Sequence, residues 1–158
     1  MNVLFGRVNP SAKLSFTMPN IDNEQQMSEA QYPGSDDHWN SSYSEKHHFG
    51  YRWYDQNRVK PSFEFGFGLS YTKFQYSQLQ VFQNKTILFK LKNIGEMTGS
   101  EIVQVYLSVP ETDNFKDGYR SPKQLKLFTK VKDIKPQEEY QVELRLDDRA
   151  FSYWNVAT

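Results

Sequence analysis

From residue 79 to residue 146 the chain alternates between apolar and polar positions. Leu79 and Val81 stand with polar neighbours, as do Ile87, Phe89 and Leu91, then Val103, Val105 and Leu107. Leu125, Leu127 and Val131 continue the pattern, and Val142, Leu144 and Leu146 close it. A period of two places each set on one face of an extended segment, so each marks the inward face of a half-buried antiparallel strand. Turn chemistry separates the sets: Asn84-Lys85, Asn93-Ile94-Gly95 through Gly99, Asp117-Gly118, and Lys135-Pro136. Short alternating strands divided by such turns predict a β-sandwich. No internal repeat or low-complexity tract interrupts it.

The beginning of the chain follows another rule. Residues 1–62 contain six Leu, Ile or Val, whereas residues 63–158 contain twenty. The first stretch is rich in Asn, Ser, Gln, Pro and aromatics, with loop signals at Asn9-Pro10-Ser11, Met18-Pro19-Asn20 and Tyr32-Pro33-Gly34-Ser35. Only Ala12 to Met18 alternates well enough for a short strand, and no window of about a dozen residues has a clean helical period. Such a segment buries too little aliphatic surface to fold alone, and is expected to wrap over something else. The boundary falls near Pro61 to Phe63, and Phe63 to Tyr71 reads as a rigid connector.

Composition narrows the function. Nineteen acidic residues balance nineteen Lys and Arg among the 158. Zero net charge argues against a nucleic-acid or membrane-surface binder, since both need an electropositive face. There is no cysteine, hence no disulfide framework, thiolate zinc site or thiol nucleophile. No apolar run approaches the roughly 18 residues that span a bilayer. The opening Met1-Asn2-Val3-Leu4-Phe5-Gly6-Arg7 lacks the apolar stretch of a signal peptide. Leu, Ile, Val and Phe number 38, above the level of a disordered chain, and the 25 aromatic residues must carry much of the burial.

Several passages are recognisable as a set. Leu4-Phe5-Gly6-Arg7-Val8-Asn9-Pro10-Ser11-Ala12-Lys13-Leu14 resembles the "LFGxxNPSGKL" passage of glycoside hydrolase family 3, which includes many β-glucosidases. Tyr43-Ser44-Glu45 and Gly50-Tyr51-Arg52-Trp53-Tyr54-Asp55 follow in the family's order. Pro61-Ser62-Phe63-Glu64-Phe65-Gly66-Phe67-Gly68-Leu69-Ser70-Tyr71-Thr72 is similar to its "PxFPFGYGLSYT". Further on, Asn93-Ile94-Gly95, Gly99-Ser100-Glu101-Ile102-Val103-Gln104-Val105-Tyr106 and Pro122-Lys123-Gln124-Leu125-Lys126-Leu127-Phe128 fit as well, and Phe151-Ser152-Tyr153-Trp154-Asn155-Val156 resembles the "LSFWD" strand. The matches cover nearly the whole chain.

The resemblance implies a mainly β chain: an immunoglobulin/fibronectin type III-like antiparallel β-sandwich over residues 63–158, preceded over residues 1–62 by a loop-rich segment from the tail of an α/β sandwich domain. Family members begin with a catalytic (β/α) barrel and continue through that α/β domain, so both would be partners missing from this chain, together with the sandwich's last strands. A sandwich without them is expected to be marginal or to associate. The parent would be a retaining glycosidase acting on an oligosaccharide or glycoside, in a secreted, lysosomal, vacuolar or periplasmic setting. Retention needs two carboxyl groups roughly 5 to 5.5 Å apart. The family's nucleophilic Asp lies on the barrel and its acid/base Glu lies upstream of the "LFG" passage, so no catalytic residue is expected here. Two rival readings stay open: a free-standing fibronectin-like accessory or binding module, and an inactive remnant.

Glu45 is the candidate substrate-binding residue. It sits among aromatics able to stack on a sugar; alternatively it is a loop carboxylate that accepts from backbone N–H groups or pairs with Arg52. Lys46 stands where the family often has Gly. His47-His48 invites a metal reading, but adjacent side chains diverge in extended structure and His38 is nine residues before His47, so no metal and no cofactor are expected. The aromatics Phe49, Tyr51, Trp53, Tyr54, Phe63, Phe65, Phe67, Tyr71 and Phe74 form either a sugar platform or, more simply, a packed seam. Gly66 and Gly68 allow close backbone approach, and Trp154 is expected in the core. Asn40-Ser41-Ser42 and Asn84-Lys85-Thr86 are glycosylation acceptors by pattern. Lys123, Lys126, Lys130 and Lys132 read as a solvated strand face or a polyanion site.

Overall fold

The structure is a computed structural model, and it describes residues 1–34, 40–108 and 121–152. The Asp117-Gly118 turn, His38 and Trp154 lie outside the described residues. Among the described residues five strands and one helix of more than one turn form: α1 (Tyr51–Asn57), β1 (Phe74–Val81), β2 (Thr86–Asn93), β3 (Gly99–Leu107), β4 (Gln124–Ile134) and β5 (Glu139–Arg145). A 3-10 turn, Asp148–Phe151, is capped by Asp147, whose side chain accepts from the Ala150 amide at 2.8 Å.

The strands make two sheets, one ordered β1-β2-β5 and the other β3-β4. In the first, β2 is central and antiparallel to both neighbours, with Phe89 opposite Val142 and Leu91 opposite both Tyr76 and Tyr140. The alternation read from the sequence is clearest here, since Ile87, Phe89, Leu91 and Asn93 are all buried. The core closes with Val103 from β3, Ile134 from β4, Val142 from β5, and Leu146 and Ala150 beyond it.

Two positions expected to be buried on β1 are exposed. Leu79 is 69% exposed and Val81 is 72% exposed. The register of β1 against β2 shifts between Ser77 and Gln80, and Gln78 takes φ 54°. The bulge passes the inward face from even residues to odd ones, from Tyr76 opposite Leu91 to Val81 opposite Ile87, so Val81 keeps the face its alternation gave it and is nonetheless exposed.

The core also contains a polar knot. Asn93 has no exposure, and all four side-chain hydrogen-bonding positions are used. Its Oδ1 accepts from the Thr72 hydroxyl at 2.6 Å and the Gly95 amide at 3.0 Å, while its Nδ2 donates to the carbonyls of Met97 at 2.8 Å and Ile134 at 2.9 Å. Gly95 is small by necessity, because a Cβ there would come 2.2 Å from the Thr72 hydroxyl oxygen.

By contact the chain forms two compact units. One comprises Met1–Lys13, Gly68–Val105 and Leu125–Thr158, and includes most of the strands; the other comprises Leu14–Phe67 and Tyr106–Gln124. In the first, Asn9 fastens the opening segment: its Oδ1 accepts from the Tyr71 amide at 2.7 Å, and its Nδ2 donates to the Ser70 hydroxyl at 3.1 Å. The Tyr71 hydroxyl donates to the Val3 carbonyl at 2.8 Å, and Lys13 pairs with Glu101 at 3.3 Å. At Gly68 a Cβ would meet the Ala12 carbonyl oxygen at 2.7 Å, the close approach expected of that glycine.

The second unit is built from loops and α1. The expected strand from Ala12 to Met18 is reduced to one bridge, Met18 with Phe63, beside the bonds Leu14 N to Phe67 O (2.8 Å) and Gly66 N to Leu14 O (2.8 Å). Among the described residues up to 62, only Tyr54 and Pro61 are buried, in keeping with the scarcity of aliphatic side chains. Seven residues are too few to show a helical period, so α1 left no trace in the pattern.

Candidate functional site

Glu45 belongs to a turn held against a second turn by Gln31. The Gln31 Oε1 accepts from the Ser28 amide at 3.0 Å and hydroxyl at 3.1 Å, and its Nε2 donates to Glu45 Oε2 at 2.8 Å. The same residue's carbonyl accepts from the Ser41 hydroxyl at 2.6 Å, and the Ser42 amide donates to the Ala30 carbonyl at 2.8 Å. Both turns are thus tied by main-chain and side-chain bonds, with Glu45 half-buried between them. Tyr32 and Tyr43 flank the junction, each 76% exposed.

The Arg52 guanidinium lies over the Phe49 ring at 5.4 Å and the Tyr51 ring at 5.8 Å, where the π faces attract the cation. Lys46, next along, takes φ 55°, the left-handed region that suits the glycine common in related sequences. Gln31 is the residue sequence reasoning missed; no motif marks it, because its part is set by two turns meeting in space.

Around α1 the aromatics pack pairwise. Tyr51 meets Phe65 at 4.9 Å and Tyr106 at 6.0 Å, Trp53 meets Tyr54 at 5.0 Å, and Phe63 meets Phe67 at 4.9 Å. Phe49 and Phe63 keep 52% and 43% exposure, so only part of the aromatic string is packed away. Tyr54 is buried and donates its hydroxyl to Glu24 Oε2 at 2.7 Å; Glu24 also accepts from the Asn20 amide and side chain at 3.0 and 2.8 Å. Burial first, then the Glu24 bond and charge, push the Tyr54 phenol up to about 12. The Asn20 and Tyr54 bonds hold the Glu24 carboxyl below the usual range.

A cavity of about 80 Å³ lies against α1, lined among others by Thr17, Tyr51, Tyr54, Asp55, Tyr106 and Lys123. It is far below the roughly 300 Å³ at which ligand pockets begin, so it does not hold a sugar ring. Asp55 Oδ1 pairs with Lys123 at 3.2 Å, and the Lys123 ammonium lies 5.7 Å from the Tyr106 ring centre.

Among the described residues the carboxyl groups with a shifted pKa, Glu24, Glu138 and Asp148, are shifted down by hydrogen bonds they accept. That is the direction opposite to the one a general acid needs. Among the described residues no group of three or more His, Asp or Glu could hold a metal ion. Asn40 and Asn84 are both exposed; the Asn84 side chain accepts from the Thr86 amide at 3.2 Å in the β1–β2 turn.

Two small stacked sheets with this strand order define a fibronectin type III-like sandwich, and the model of the fibronectin type III-like domain matches residues 101–158. Thermostable beta-glucosidase B of Acetivibrio thermocellus is 43% identical over 98% of this chain and 20% of its own length. An exo-alpha-(1->6)-L-arabinopyranosidase of Bifidobacterium breve is 34% identical, again over 98% of this chain and 20% of its own. The crystal structure of DesR, a beta-glucosidase from Streptomyces venezuelae in complex with D-glucose, superposes with a TM-score of 0.86 at 33% identity, over 99% of this chain and 20% of that one. The chain belongs to glycoside hydrolase family 3 and corresponds to the C-terminal part of its members. It spans about a fifth of the length of the relatives it matches.

Proposed function

We propose that this chain is the structural C-terminal part of a retaining β-glucosidase-type hydrolase, whose whole removes a terminal β-D-glucosyl or related residue from an oligosaccharide or glycoside. Its nucleophile and acid/base belong to barrel and α/β domains outside these residues. Residues 1–62 close the α/β domain and residues 63–158 form the fibronectin-like one. The observation that carries the reading is the 98% coverage of this chain by a β-glucosidase of which it makes up only 20%. Glu45, with one oxygen committed to Gln31, positions the junction of two turns and at most borders the substrate. The arabinopyranosidase among the relatives leaves the sugar itself unassigned.

The test uses a chromogenic aryl β-glucoside. The chain alone is expected to release no product above buffer, as is its Glu45→Gln variant. A chimaera in which this chain replaces the matching segment of the Acetivibrio enzyme is expected to turn the substrate over. Glu45→Gln in that chimaera should leave kcat within about tenfold, whereas loss of an acid/base removes some 100- to 10,000-fold. Turnover by the isolated chain, abolished by Glu45→Gln, would overturn the proposal.

A further inference from the structure

The sequence cluster of lysines that the proposed role does not use is sorted by the fold. On β4, Leu127, Thr129 and Val131 are half-buried while Phe128, Lys130 and Lys132 are exposed, so alternation puts Lys126, Phe128, Lys130 and Lys132 on the outer face. Phe128 is 67% exposed. On the paired strand β3, Val103 is buried, which turns Ser100, Ile102 and Gln104 to that same outer face. Glu101 belongs to the inner set, where it holds Lys13 at 3.3 Å and accepts from the Tyr76 hydroxyl at 3.0 Å. Asp133 follows at φ 55°, where the alternation breaks. These outer positions carry three ammonium groups and an open aromatic ring, with the exposed Asp133 at the end of the row. Lys130 donates to the Ser11 hydroxyl at 2.8 Å, a neutral partner that leaves its charge uncompensated.

We infer that this face of β4 binds an anionic polysaccharide. Strand geometry sets Lys130 and Lys132 about 7 Å apart and Lys126 about 14 Å from Lys130, with Phe128 midway. Such a row fits a chain whose carboxylates or sulfates recur between rings: the ammonium groups take the anions, and the aromatic ring takes the apolar face of a sugar between them. A single-stranded nucleic acid is less well served, because it stacks successive bases on a platform of aromatic rings and this row offers one ring. The inference does not depend on the parent's activity.

The 158-residue chain would be titrated calorimetrically with an oligogalacturonate, a neutral cello-oligosaccharide, polyglutamate and a single-stranded DNA oligonucleotide. Binding of the oligogalacturonate alone is expected, weakening about tenfold as ionic strength rises and the screening length falls below about 10 Å. The double change Lys130→Glu with Lys132→Glu should weaken it at least about tenfold, with an unchanged circular-dichroism melt because both positions are outward. If that variant does not fold, Lys126→Gln alone should cost about threefold. Phe128→Ala should weaken the uronate several-fold while leaving the salt dependence in place. The inference is overturned by an absence of uronate binding, by binding indifferent to the lysine changes, or by equal or tighter binding of polyglutamate or DNA.

Discussion

At the scale of single residues, stability is concentrated in Asn93 more than in any one aliphatic side chain. Its amide satisfies a hydroxyl, an amide N–H and two carbonyls at full burial. Truncation leaves several buried polar groups without partners, each worth about 1–3 kcal/mol. Asn93→Ala is thus expected to destabilise by at least about 3 kcal/mol, read as a shift of the urea midpoint at constant slope. A change below about 1 kcal/mol would show that solvent reaches the knot. The sequence marked Asn93 only as the start of a turn, Asn93-Ile94-Gly95, and that was right as far as it went. What it could not contain is the carbonyl of Ile134, brought there from 41 residues away.

Tyr54 and Glu24 make a second residue-scale lock, with a pH signature. The folded-state pKa of Tyr54, about 12, lies above the ordinary value of 10.0. The contribution of this phenol is therefore complete below pH 10 and is lost as the pH climbs toward 12. Wild-type chain is expected to lose stability across that window more steeply than Tyr54→Phe, which has no phenol to ionise. The bond to Glu24 adds roughly 1 kcal/mol to the cost of Tyr54→Phe at neutral pH. Denaturant midpoints at pH 8, 10 and 11.5 for both proteins check the sign; parallel curves would refute it.

At the scale of elements, the strands show how far periodicity reaches. β2 was legible because it is central and antiparallel on both sides, so its inward residues have no alternative face. At the end of β1 periodicity gave the face but not the burial: Val81 stands opposite buried Ile87 and is still 72% exposed, because a face is set by the strand's own period and its cover by elements elsewhere in the chain. The consequence is measurable. Leu79→Gln and Val81→Thr are expected to move the free energy of unfolding by no more than about 0.5 kcal/mol each. Leu91→Ala, at a position with no exposure, is expected to cost about 2–5 kcal/mol. A loss above about 2 kcal/mol for Leu79→Gln would show that this end of β1 is covered. For the candidate site the limit is different. Glu45 was singled out from its motif, but Gln31, which fixes it, lies fourteen residues earlier in a segment without period or motif.

At the scale of the whole molecule, the pattern of exposure bears on behaviour in solution. Leu4 and Phe5 are 82% and 70% exposed, and Leu79, Val81 and Phe82 lie together at one end of β1 with 69, 72 and 46%. Among the described residues β1 pairs with β2 on one side only, so its outer edge sets N–H and C=O groups beside an apolar end. Edges of this kind pair with a second copy unless charge or a covering element prevents it. The isolated chain is thus expected to associate in a concentration-dependent manner in sedimentation velocity runs. Val81→Lys places an ammonium group at the strand end without touching the core and is expected to weaken that association several-fold. Leu4→Lys with Phe5→Ser should have less effect if the edge, rather than apolar area as such, drives the contact. A wild-type chain that stays monomeric over a hundredfold range of concentration would mean that neither feature suffices. Equal suppression by both variants would assign the association to exposed apolar surface and not to strand pairing.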